Sequence, residues 1–295
     1  MIVDYAPRQS DLVKYWMNRR LRVASGVCCG ILSAVLCLPA IALQKGSVAD
    51  NSADANSLVR QMVAAYKDAT TIQESSAATF TPSSGPPLSQ SYFLKYASLN
   101  GLSVTVQDPI NGSFGAYCDG VTLTVYSAAK SSFVRRSAPP DLAGVVKAIS
   151  GLSHELTGTA FDQTLNPISF VLAPGMPREG SNFKRTGIQT VMGRKTYVVS
   201  GTADDAYLRT VLPDSATHGA RIDQKELTLY IDAQTHLLLQ ARARIHWTSV
   251  SRNSAGKGRG FGFTFMERHI GTKINAPLQR TALAFLQPPG AIEIK

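Results

Sequence analysis

Apolar and polar residues alternate with period two on both sides of a short connection within residues 226–247. On the first limb Leu227, Leu229 and Ile231 alternate with Thr228, Tyr230 and Asp232. On the second, Leu237, Leu239, Ala241, Ala243, Ile245 and Trp247 alternate with Leu238, Gln240, Arg242, Arg244 and His246. Such alternation marks a sheet with one apolar and one polar face, and the connection Asp232-Ala233-Gln234-Thr235 is short enough for an antiparallel hairpin. Both apolar rows then share one side. The second limb, at roughly ten residues, exceeds a usual strand and suits a large curved sheet or barrel.

The same patterning runs through most of the chain. Ser57 or Asn56 can cap a helix in which Leu58, Met62, Ala65, Tyr66 and Ala69 recur at helical spacing. Strands are predicted at 72–81, 90–98 (with Tyr92, Leu94 and Tyr96 on one face), 102–106, 116–118, 121–126 and 133–136, a meander punctuated by Asn100-Gly101 and Asp119-Gly120. Pro139 and Pro140 open a helix in which Leu142, Val145, Val146 and Ile149 fall at i, i+3, i+4 and i+7, ending at Gly151. A short helix follows at Pro167, capped by Asn166. Strands resume at 182–189, 194–200, in the hairpin, at 261–270 and near Ile292. The economical architecture is one domain of antiparallel sheet with a few helices against its concave side.

Composition adds an N-terminal leader. Arg19-Arg20-Leu21-Arg22 precedes an uncharged run over 23–43, with Pro39 near its end and Ala40-Ile41-Ala42 behind it. That order is the one of a secretory signal, while its length also fits a membrane anchor. Residues 1–42 are therefore expected to be a signal peptide or N-terminal anchor, 43–56 a small, polar spacer and 57–295 a single domain. The chain has 295 residues, 44% of them hydrophobic, and a formal charge of +10. The first 42 residues hold a surplus of three positive charges, and without them the charge is +7. Such an excess suits anionic partners or plain solubility. Three of the four Cys lie in the leader, which leaves Cys118 alone, unable to form an intramolecular disulfide and placed as a half-buried structural thiol.

Motifs for catalysis are thin. His154-Glu155 lacks the second His of a zincin helix, and His154, His218, His236, His246 and His269 are spaced as in no zinc site. Gly151-Leu152-Ser153-His154-Glu155 is not a nucleophile elbow, and Asp204-Asp205 reads as a solvated turn. No catalytic residue, metal ligand or cofactor is expected, and the chain is not read as an enzyme. Arg259-Gly260-Phe261-Gly262-Phe263 matches the start of an RNA-binding strand signature, but Thr264-Phe265-Met266 departs from its continuation and no compact βαββαβ unit surrounds it. A basic loop entering a strand is the preferred account.

The chain resembles the periplasmic lipoprotein carrier superfamily, LolA/LolB-like, in its branch of predicted exported proteins. The likeness is carried by the helix at 58–69, by Asp119-Gly120-Val121-Thr122-Leu123-Thr124-Val125-Tyr126 and by Ala138-Pro139-Pro140-Asp141-Leu142. Leu229-Tyr230-Ile231-Asp232-Ala233-Gln234-Thr235-His236-Leu237-Leu238-Leu239 and Phe285-Leu286-Gln287-Pro288-Pro289-Gly290-Ala291 complete it. The resemblance implies an α+β fold, an incomplete antiparallel β-barrel (curved sheet) with helices covering its concave face. It also implies a periplasmic or otherwise exported monomer that takes the acyl chain of a lipid or lipoprotein. Wall residues would be Leu227, Leu229, Leu239, Ile245 and Trp247, with Leu142, Val145, Val146 and Ile149 on the lid; the same residues serve equally as plain core. Carrier-like members have an Arg-Pro step where this chain reads Lys95-Tyr96-Ala97-Ser98-Leu99-Asn100-Gly101. That keeps a static binder, or an envelope module that binds another protein, beside the shuttle. No nucleic-acid partner is expected.

Overall fold

In the computed structural model the described residues are 51–83, 86–108, 112–157, 183–202, 220–249 and 260–295; side chains of 51–53, 220–222, 247, 249, 260 and 261 are not among them. The leader, the expected helix at Pro167, Asp204-Asp205 and Arg259 lie outside the described residues. Helix α1 (Asn51–Lys67) is followed by β1 (Thr71–Pro82), β2 (Leu88–Ala97), β3 (Gly101–Asp108), β4 (Gly112–Cys118), β5 (Thr122–Ser127) and β6 (Ser132–Ser137). After α2 (Leu142–Thr157) come β7 (Lys184–Val191), β8 (Arg194–Thr202), β9 (Ala220–Asp232), β10 (Leu238–Ser249), β11 (Gly260–Ile274) and β12 (Ile292–Glu293).

These twelve strands form one curved sheet in the order β12-β6-β5-β4-β3-β2-β1-β11-β10-β9-β8-β7. Two meanders, β1 to β6 and β7 to β11, meet where β1 pairs antiparallel with β11. Only β12, lying parallel to β6, breaks the antiparallel rule. The outermost strands β12 and β7 do not pair with each other, so the barrel is incomplete.

Helix α1 begins at Asn51, ahead of the expected cap at Asn56 or Ser57, and takes in residues that their composition assigned to a spacer. Its buried stripe is Leu58, Val59, Met62, Val63 and Tyr66, and it packs on β7 and β9. Asp54 pairs with Arg185 of β7 at 2.6 Å, and the Tyr66 hydroxyl accepts the Leu238 N–H at 3.2 Å. Helix α2 is capped by Asp141, whose Oδ1 accepts the Gly144 N–H at 2.7 Å. It does not stop at Gly151. Leu152 and Leu156 continue the apolar stripe of Leu142, Val145 and Ile149, and continued burial against β3, β5 and β6 outweighs the cost of one mid-helix glycine.

Turn chemistry differs in detail from the sequence expectation. Between β2 and β3 the left-handed residue is Leu99 (φ 80°), not the glycine of Asn100-Gly101. Gly101 is instead a point of close approach, since a Cβ there would lie 2.8 Å from Leu283 Cδ1. The Asn100 amide donates to the carbonyls of Pro139 (2.7 Å) and Gly120 (3.2 Å), tying three connections together. In the β9–β10 turn, buried Asp232 accepts the N–H groups of Gln234 and Thr235 and the Thr235 hydroxyl, and it pairs with Arg194 at 2.8 Å. Burial alone would raise its pKa, but the bonds from Thr235 and Gln234 and the Arg194 charge together hold it below its ordinary value.

Candidate functional site

The inner face of the sheet carries one hydrophobic cluster, to which both helices contribute. On the flank under α2 the inner positions are Leu102, Val104, Val106, Ala116, Leu123 and Val125, with Cys118 among them. Cys118 is fully buried, and that burial pushes its thiol pKa up. On the flank under α1 they are Leu227, Leu229, Ile231 and Leu238. The centre is different: Ala241 of β10 and Ala78 of β1 stand on either side of Glu267, and Ala243 pairs with Phe265.

Three charged side chains stand on this central inner face. Glu74 and Ser76 continue the β1 row of Ile72 and Ala78, while Glu267 and His269 continue the β11 row of Phe263 and Phe265. Glu74, Glu267 and His269 are 5%, 0% and 1% exposed. His269 Nδ1 lies 2.9 Å from Glu74 Oε1, and the Ser76 hydroxyl donates to Glu267 Oε1 at 3.0 Å. A register shift assists the cluster: Ser76 faces His269 but Glu74 faces Thr272, so Ile270 is an extra residue turned to solvent. Thr272 rather than Gly271 thereby comes beside Glu74 and donates to its Oε2 at 3.0 Å.

The electrostatics follow from burial. Loss of water pushes the Glu267 carboxyl up, the neighbouring imidazolium only partly opposes this, and the pKa settles at about 7. For His269 loss of water pushes the other way, but the contact with Glu74 prevails and raises the imidazole to about 9. The Tyr66 hydroxyl, reaching in from α1, is raised well above its ordinary value by burial and by the Glu74 charge. Glu267 Oε2 and His269 Nε2 have no hydrogen-bond partner among the described residues. One donor atom from each of Glu74, Glu267 and His269 lies within 4.8 Å of the others.

The residues expected to form wall and lid are distributed over both flanks. Leu227, Leu229 and Ile245 are buried on the inner face of β9 and β10. Leu239 is displaced by a bulge: Leu238 pairs with Ile231 and Gln240 with Tyr230, and Leu239 between them is buried yet outside the inner cluster. Trp247 pairs through its backbone with Ile222 and Phe261, and its side chain lies outside the described residues. Leu142, Val145 and Ile149 are buried and Val146 half-buried, packed over the opposite half of the sheet. The helix lying over β9 is α1. Phe263, from the strand that resembled an RNA-binding signature, stacks tilted on Phe80 at 4.5 Å between ring centroids.

Sequence reasoning missed the Glu74–Glu267–His269 cluster because it looked for ligand spacings along the chain. The available signal was positional: polar residues at Glu74, Ser76, Glu267 and His269 occupy alternating positions that the flanking residues mark as inner.

No family model matches the chain, and no curated protein sequence matches it. Solved structures similar to it include the lipoprotein LppX of Mycobacterium tuberculosis, at 13% identity over 77% of this chain and 98% of that one, with a TM-score of 0.42. LprF of Mycobacterium bovis shares 13% identity over 82% of this chain and 99% of its own, with a TM-score of 0.41. A LolA superfamily protein of Nitrosomonas europaea shares 12% over 78% and 97%, with a TM-score of 0.31.

Proposed function

We propose that the chain is an exported cell-envelope protein, not an enzyme, that binds an apolar ligand, the acyl chain of a lipid or lipoprotein, between its helices and the concave sheet. The observation that carries this reading is the inner apolar surface of the sheet, built from large side chains on its flanks and from small Ala78, Ala241 and Ala243 beside the polar Glu74, Glu267 and His269 at its centre. Small side chains at the centre would admit a narrow apolar guest if the helix-covered flanks part, and each buried methylene contributes roughly 0.8 kcal/mol. Export rests on the leader-like residues 1–42; among the described residues no helix is long and apolar enough to cross a membrane.

Native mass spectrometry of the chain purified from an exporting host, with organic extraction of what co-purifies, tests the proposal. A stoichiometric lipid or acylated peptide is expected, displaced by Ala243→Phe while circular dichroism is unchanged. A chain that stays empty when offered lipids overturns ligand binding and leaves the fold as a protein-binding envelope module.

A further inference from the structure

A buried polar atom without a partner calls for a water, an ion or a mechanistic role. The central inner face has two such atoms, Glu267 Oε2 and His269 Nε2, on side chains at most 1% exposed. They belong to a group of two carboxyls and one imidazole shielded from water, whose charges balance only while Glu267 keeps its proton. Desolvating an unpaired charge is costly, and Ser76 and Thr272 supply only neutral hydroxyl donors.

We propose that Glu267, His269 and Glu74 form a site for a divalent transition-metal ion of the zinc class. The ion would be held by Glu267 Oε2 and His269 Nε2, with Glu74 fixing the imidazole ring through Nδ1. Each feature matches a requirement of such a site. The Nδ1–H donated to the Glu74 carboxylate leaves the Nε2 lone pair for the metal, the carboxylate–histidine–metal relay by which ligating imidazoles are oriented. The Ser76 hydroxyl holds Oε1 of Glu267 and leaves the buried Oε2 available to an ion. A mixed nitrogen and oxygen donor set suits zinc rather than magnesium or calcium, which prefer oxygen alone. With a neutral imidazole, two positive charges balance two carboxylates. One ligand atom from each of the three residues lies within 4.8 Å of the others, and side-chain rotation would bring Oε2 and Nε2 to the roughly 2.0–2.2 Å bonds of zinc. The sheet places the ligands rigidly, because Glu74 and the Glu267-x-His269 pair come from adjacent, hydrogen-bonded strands. Coordination positions left over would take water or an oxygen of a bound ligand.

The full chain, stripped with chelator and dialysed, is titrated with zinc chloride by calorimetry and with cobalt(II) by absorption. One zinc per chain is expected, with an affinity at least tenfold higher near pH 8 than near pH 6, because Glu267 and His269 must give up protons to bind. Glu267→Gln and His269→Gln are expected to weaken it at least tenfold, and Glu74→Gln by roughly tenfold through loss of ring orientation. Absence of binding, or zinc affinity unchanged in both Glu267→Gln and His269→Gln, overturns the proposal. Should a variant fail to fold, the wild-type cobalt spectrum decides. Intense bands of a four- or five-coordinate ion support the site, and the weak spectrum of hydrated cobalt sinks it.

Discussion

The flank under α2 and the central seam are buried to the same degree and built from opposite chemistry. Val104, Leu123 and Val125 face inward on one; Glu74, Glu267 and His269 face inward on the other. Apolar burial stabilises in proportion to the area removed from water, whereas a buried carboxylate costs stability unless it is paired or protonated. The flanks therefore hold the sheet to its helices, and the seam is kept polar at the expense of stability. A polar seam between well-packed flanks departs from what folding stability alone favours.

Three measurements break or sharpen that contrast. The largest effect belongs to a flank: Leu229→Ala, at a position with no exposed surface, should destabilise by about 4 kcal/mol in chemical denaturation. A loss below about 1 kcal/mol would mean that the site already adjoins open space and that the flank is not simple core.

The seam should respond with the opposite sign. Glu267 faces Glu74 and Ser76 from β1, His269 on its own strand and Tyr66 from α1. Its folded pKa is raised from 4.5 to about 7, so its contribution is fully present below 4.5 and disappears as pH rises through 7. His269, raised from 6.5 to about 9, adds a second decline over that higher window. Metal-free protein should accordingly lose thermal stability from mildly acidic to alkaline pH. Glu267→Gln should abolish the lower decline and be more stable than wild type near pH 8 by about 3 kcal/mol. Identical pH profiles for the two proteins would show that Glu267 ionises as freely in the fold as out of it.

The smallest effect is at the periphery. Removing the half-exposed partner of Asp54 by Arg185→Ala should cost about 0.5 kcal/mol, as surface ion pairs do. Its melting curve would separate α1 docking by apolar contact from docking by charge.

Much of this organisation was legible in the alternation of residues. The meander, the hairpin, the stripe of Leu58, Met62 and Tyr66 and that of Leu142, Val145 and Ile149 follow from periodicity, because side-chain direction in strands and helices is fixed by the backbone. What escaped was set by contacts distant in sequence. Gly151 reads as a stop, but Leu156 has a place to bury on the sheet. Leu239 reads as inner, but the bulge at the start of β10 gives that place to Leu238. The seam was hidden for the same reason, since a single Glu among Ile72, Ser76 and Ala78 has no meaning until β11 is laid beside β1.

That pairing also fixes an order of events. Each meander is made of neighbours in the chain, whereas His269 and Glu74 are 195 residues apart. Closing so long a loop costs about 5 kcal/mol of chain entropy before any contact is gained. As the polypeptide lengthens from its N-terminus, β1 to β6 can pair while Glu74 is still hydrated. The electrostatic centre comes into existence only when β11, the last long strand among the described residues, is laid beside β1.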